Sequence, residues 1–107
     1  MDRDLIKQQL EYALEGTNFD DQGELYKGKV RDNYINEETI TMVTTDRISA
    51  FDRVLGTVPF KGQALTELAD WWFGETADIV ANHIIKRPHP NVWKVKRCEP
   101  IQAEMVV

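Results

Sequence analysis

The chain has 107 residues, 13 Lys+Arg against 18 Asp+Glu and a net charge of -5, which fits one small domain. The acidic balance argues against non-specific nucleic-acid binding, which needs a basic face to displace counterions, although a small anionic ligand responds to the local field instead. A single cysteine, Cys98, excludes an internal disulfide and a multi-cysteine metal site, and the absence of a signal peptide or a membrane-spanning apolar run leaves a reducing, cytoplasmic setting as the default.

Ile6, Leu10, Ala13 and Leu14 recur at helical spacing, and Gly16 is placed to stop a short amphipathic helix packed on the body. After the polar connector "TNFDDQG", the pattern from Leu25 to Ile35 becomes period two, with Tyr26, Gly28, Val30 and Tyr34 on one side. "NEE" reads as a turn and "TITMVTT" as a partner strand, so a hairpin is expected. "VLGTVPFKG" is punctuated as a loop. Leu65, Leu68, Ala69 and Trp72 mark one face of a following helix, with Phe73 beside it and Gly74 weakening its end. Ile79–Ile85 is a shorter apolar segment, and Pro88 and Pro90 break the chain. "NVWKVKRCEPIQAEMVV" alternates again as late strands interrupted by Pro100. The mixture predicts an α+β domain with a small, mainly antiparallel sheet and packed helices. The chain stops at "AEMVV" without a polar finish, so it is expected to be part of a longer protein.

"YKGKVRD" is the first stretch with chemical content. On one continuous strand Lys27, Lys29 and Arg31 share a face, and three like charges in a row suit phosphate oxygens lying over them. Gly28 would let a ligand or another backbone approach closely. A solvated edge strand protected by lysines gives the same pattern. "TDRISAFD" has two readings as well: a loop presenting Asp46, Arg47, Ser49 and Asp52 to a polar substrate, or a local turn capped by Asp46 or Ser49, with Arg47 paired to Asp52. Lys61 and Gly62 either lie near a ligand or mark a helix entry. His83 and His89 are too few for a metal centre, "ADWWFG" reads as core, and Cys98 reads as a small apolar residue.

Taken in order, "LYKGKVRDNY", "TTDRISAFD", "VPFKGQALTELADWWF", "NHII" and "CEPIQAEMVV" resemble the SAICAR synthetase family, the phosphoribosylaminoimidazole-succinocarboxamide synthases, from about Glu24 to Val107. The resemblance implies an ATP-dependent, magnesium-requiring ligase of de novo purine biosynthesis. Such an enzyme joins a carboxyaminoimidazole ribonucleotide to L-aspartate by phosphorylating the imidazole carboxylate, and the aspartate amine then displaces phosphate from the acyl phosphate. The N-terminal part of such enzymes is a sheet-rich lobe forming one wall of the ATP cleft, similar in outline to the nucleotide lobe of kinases and ATP-grasp proteins.

Carried over residue by residue, "GKVRD" puts Lys29 and Arg31 near the ATP phosphates, with Lys27 and Gly28 in the same cofactor-binding set. Asp46, Arg47, Ser49, Lys61 and Gly62 become the substrate-binding candidates, and Arg47, Ser49 and Asp52 the catalytic ones. No metal ligand is assigned, because the carboxylate-rich motif expected to hold magnesium is absent, as is the arginine- and glycine-containing segment expected after "EMVV". Residues 1–107 are therefore expected to be an N-terminal domain, folded but inactive alone. The competing expectations are a stand-alone nucleotide- or anion-binding module and a structural piece whose exposed face drives self-association; neither a nucleic acid nor a membrane is expected as partner.

Overall fold

The structure is a computed structural model that describes residues 2–107. Helix α1 (Arg3–Gln9) runs into a 3-10 turn (Leu10–Tyr12), followed by β1 (Glu24–Lys27), β2 (Arg31–Ile35), β3 (Thr39–Thr44), β4 (Arg47–Ala50), β5 (Arg53–Thr57), α2 (Lys61–Glu75), β6 (Ile84–His89) and β7 (Val92–Lys96). Five strands form one antiparallel sheet in the order β1-β2-β3-β7-β6, and β4 and β5 make a separate hairpin. The expected α+β class and the "NEE" hairpin are both present; Asn36 N–H closes that turn on the Thr39 carbonyl at 2.9 Å.

Register decides what lies on each side of the sheet. Tyr34 pairs with Thr41 and Asp32 with Val43, so these four share a face. The segment after α1 covers it: Phe19 stacks on Tyr34 with ring centroids 5.2 Å apart, and Thr17 Oγ1 lies 2.7 Å from the Tyr34 hydroxyl. The opposite face carries Met42, Thr44, Trp93 and Val95 and is covered by α2, whose Phe73 meets Trp93 edge-on at 5.9 Å. Tyr34, Val43, Trp93 and Val95 are the buried apolar residues of the core.

Several expectations are corrected. The stretch 25–35 is two strands, because Gly28 N–H bonds the Arg31 carbonyl at 2.8 Å and turns the chain at Lys29–Val30. Helix α1 buries no residue and ends at Gln9; Leu14 lies beyond it because its N–H and C=O are both taken by Asp46. On α2 the residues turned inward are Gly62, Thr66, Ala69 and Phe73, whereas Leu65, Leu68 and Trp72 are about half exposed. A close backbone approach sets this rotation: a Cβ at Gly62 would lie 2.6 Å from Asn91 Nδ2 and 2.8 Å from the Thr45 carbonyl. Only a glycine lets the helix start there. Of "ADWWFG", Phe73 is packed inward while Trp71 and Trp72 form an exposed T-shaped pair. Pro88 sits within edge strand β6, where a missing N–H is tolerated. Residues 97–107 form no strand, and Cys98 is exposed.

Candidate functional site

"GKVRD" and "TDRISAFD" form one physical unit, joined by Arg47. This side chain is almost wholly buried at the start of β4, and its guanidinium spans the gap to the β1–β2 turn. Nε donates to the Lys29 carbonyl at 3.1 Å, Nη1 to the Glu15 carbonyl at 2.7 Å, and Nη2 to the Gly28 carbonyl at 3.1 Å and to Asp32 Oδ1 at 3.0 Å. Asp32, the last residue of "GKVRD", is 1% exposed and accepts from Thr17 N and Oγ1 on its other oxygen, at 2.8 and 2.9 Å. Arg47 therefore does not pair with Asp52, and its donors are taken up inside the protein. It fixes the turn and balances a buried carboxylate that would otherwise be strongly destabilising.

Asp46 acts in the same way on the other side. Its Oδ1 accepts from Gly62 N and its Oδ2 from Leu14 N, both at 2.8 Å. Residue Phe60, at the N-cap of α2, has φ 67° and provides no side-chain cap. Asp46 thus caps α2 from a distance in sequence, satisfying one of its free N–H groups with a carboxylate at the positive end of the helix. Lys61 Nζ donates to the Arg47 carbonyl at 2.8 Å. Asp46, Arg47, Lys61 and Gly62 are therefore brought together, but as an internal brace between the sheet, the hairpin and α2.

The remaining candidates separate. The turn between β1 and β2 breaks the expected row of cations. Lys27 pairs in register with Asp32 and so shares its face, and it converges on the same centre: a Cβ at Gly16 would lie 3.7 Å from Asp32 Oδ2 and 3.8 Å from both Arg47 Nη1 and Lys27 Nζ. Arg31, one residue from Asp32, lies on the opposite face toward α2, with Thr44 as its register partner. Lys29 is at the tip of the turn and pairs with Asp52 at the tip of the β4–β5 hairpin. That tip is tight, with φ 51° at Phe51 and 61° at Asp52, the left-handed pair of a two-residue hairpin loop. "TDRISAFD" is accordingly a strand and its turn, not an open loop. The hydrogen bond from Lys29 and its positive charge hold the Asp52 carboxyl below its ordinary value, and the same contact raises Lys29. Both side chains are largely exposed, so the pair exchanges readily with solvent or another ion. Ser49 is half-buried on β4 beside a register irregularity, with Val54 as its partner in the hairpin ladder.

Asp32, Gly16 and Thr17 are the site residues that sequence reasoning missed. The signal available was the charge of Asp32 inside an otherwise alternating strand, where a carboxylate on the apolar Tyr34 face requires a buried partner.

The sheet, the helix across one face and the paired hairpins are those of the N-terminal region of solved SAICAR synthases. The structure of SAICAR-synthase from Saccharomyces cerevisiae complexed with SAICAR superposes with a TM-score of 0.70 at 28% identity, covering 79% of this chain and 37% of that one. A type-2 SAICAR synthetase in complex with ADP shares the fold, with a TM-score of 0.60 at 23% identity over 69% of this chain and 33% of that one.

A family model described as SAICAR synthetase matches residues 24–107. The chain belongs to the SAICAR synthetase family. It is 52% identical over 85 residues to a phosphoribosylaminoimidazole-succinocarboxamide synthase of Legionella pneumophila (strain Lens), a match covering 79% of this chain and 27% of the relative. The relative from Flavobacterium psychrophilum is 49% identical over 92 residues, or 84% of this chain and 29% of its own length. The chain thus spans between a quarter and a third of the length of these relatives.

Proposed function

We propose that this chain is the nucleotide-side part of a SAICAR synthetase, an ATP-dependent ligase of purine biosynthesis that joins carboxyaminoimidazole ribonucleotide to L-aspartate. Family membership supports the reaction class. Within the chain, the observation that carries the reading is the grip of Arg47 on the Gly28 and Lys29 carbonyls. It holds rigid the backbone of a turn whose tip bears an exposed ammonium, so that a cation is presented to phosphate oxygens without moving the turn. Arg31, exposed and forming no salt bridge among the described residues, is the second cation within reach of the same turn.

In this reading Lys29 exchanges its contact with Asp52 for the phosphates, offsetting charge that builds on the transferring phosphoryl group. Asp52 is then left free beside the incoming substrate. Arg47 is a positioning residue, with Asp46 and Lys61 bracing the hairpin behind it. Ser49 retains the substrate-side place that the family resemblance gives it. Among the described residues no three His, Cys, Asp or Glu side chains converge on a point. No step of this reading runs through magnesium. The complete reaction is assigned to the full-length family architecture.

Titration of ATP with magnesium into the chain, followed by calorimetry, tests the reading. Saturable binding weakened about tenfold or more by Lys29→Ala is expected, since a charge-assisted phosphate contact contributes that order of free energy. Binding that Lys29→Ala leaves unchanged would refute the assignment. ADP release coupled to amide formation by this chain alone would refute the assignment of the complete reaction to the longer architecture.

A further inference from the structure

A cavity lies between α2 and the sheet, with a volume of about 170 Å³. Its lining is of two kinds. Met42, Phe73 and Trp93 are on one side of it, the last two in edge-to-face contact, with His83 beside Phe73. Arg31 and Thr44, register partners across β2 and β3, line the other together with Thr66 of α2. Thr66 is 2% exposed, and its hydroxyl has no hydrogen-bond partner among the described residues. A hydroxyl buried in this way carries an uncompensated desolvation cost, and a helical threonine ordinarily avoids it by bonding back to a carbonyl one turn earlier. Arg31 likewise has no carboxylate partner among the described residues.

We propose that this cavity is a binding site for a small aromatic carboxylate. The planar fork of Arg31 matches a carboxylate geometrically. The Thr66 O–H donates to the same anion, which removes its unmet hydrogen bond. The ring enters the Met42–Phe73–Trp93 side, where offset or edge contacts with two aromatics favour it. The volume suits a single ring. A ligand held in this way ties α2 to the sheet, so its binding stabilises the fold by linkage. Lys29 does not line the cavity, whereas Arg31, the second cation of the nucleotide reading, does, so the Lys29 variant is the one that separates the two.

Sodium benzoate is the probe, titrated into the 107-residue chain while the methyl resonances of Met42, Ile84 and Val95 are followed by NMR. Saturable shifts confined to those methyls are expected, with a dissociation constant in the millimolar range. Arg31→Gln, at an exposed position where folding is not at risk, weakens binding about tenfold; the near-isosteric Thr66→Val weakens it about threefold. Lys29→Ala leaves benzoate binding intact while weakening ATP binding about tenfold or more, so the two readings fail separately. Benzoate binding that survives Arg31→Gln, toluene binding as tightly as benzoate, or shifts that are unsaturable or scattered over the surface would each overturn the proposal.

Discussion

Replacing Arg47 with methionine tests the brace that organises this domain. The substitution keeps apolar bulk but removes all four donors to Lys29 O, Glu15 O, Gly28 O and Asp32. Asp32 then remains 1% exposed with only the two donors of Thr17. Breaking a buried ion pair from one side costs about 3–5 kcal/mol. A domain of this size has a total stability of roughly 5–15 kcal/mol, so Arg47→Met is expected to leave it marginal. With a urea m-value of about 1.3 kcal/mol/M, the midpoint should fall by about 3 M, read by far-UV circular dichroism. Much of that loss is the stranded Asp32 charge, so Asp32→Asn added to Arg47→Met should recover about 1–2 kcal/mol. The coupling energy from the double-mutant cycle equals that recovery plus the cost of Asp32→Asn alone, and so should exceed about 2 kcal/mol. If the two substitutions are additive within about 0.5 kcal/mol, Arg47 and Asp32 do not form the buried pair, and the account of the fixed turn fails with them.

Two glycines of α2 should respond in opposite directions. Gly62→Ala forces a methyl against Asn91 and the Thr45 carbonyl and should cost at least about 1–3 kcal/mol. Gly74→Ala, with nothing within 4 Å of the added methyl, should stabilise the helix by about 0.5–1 kcal/mol and raise the melting temperature by several degrees. A neutral Gly62→Ala would mean that α2 does not start against Thr45.

The Lys29–Asp52 pair has a defined pH window. The lowered Asp52 contributes stability that is full above its ordinary 3.8 and is lost as pH falls through the depressed value. The raised Lys29 contributes stability that is full below its ordinary 10.5 and is lost as pH rises through the elevated value. Between 3.8 and 10.5 both contributions are intact. NMR titration of the Asp52 carboxyl should therefore give a value below 3.8 that moves back toward it in high salt; a value at or above 3.8 in low salt would contradict the contact.

Much of this protein was legible in the order of its residues. Period-two alternation around "NEE" determined the β2–β3 hairpin, because alternation and a polar turn are local properties of the chain. The strings "GKVRD" and "TDRISAFD" marked the segments from which the site is built. Their spacing could not say that the arginine of the second would reach back to the carbonyls of the first. That depends on where the chain leaves the sheet between β3 and β4. The same limit explains the helix. Counting apolar residues on α2 selected Leu65, Leu68 and Trp72, yet Gly62 sets the rotation by fitting under the Thr45 carbonyl and turns Thr66 and Phe73 inward instead. Local pattern determines which elements form, since it depends on neighbours in sequence. Tertiary structure decided which charges are buried and which stay free. Desolvation of Asp32 and Arg47 depends on groups 15 residues or more away along the chain, and only the folded sheet brings them together.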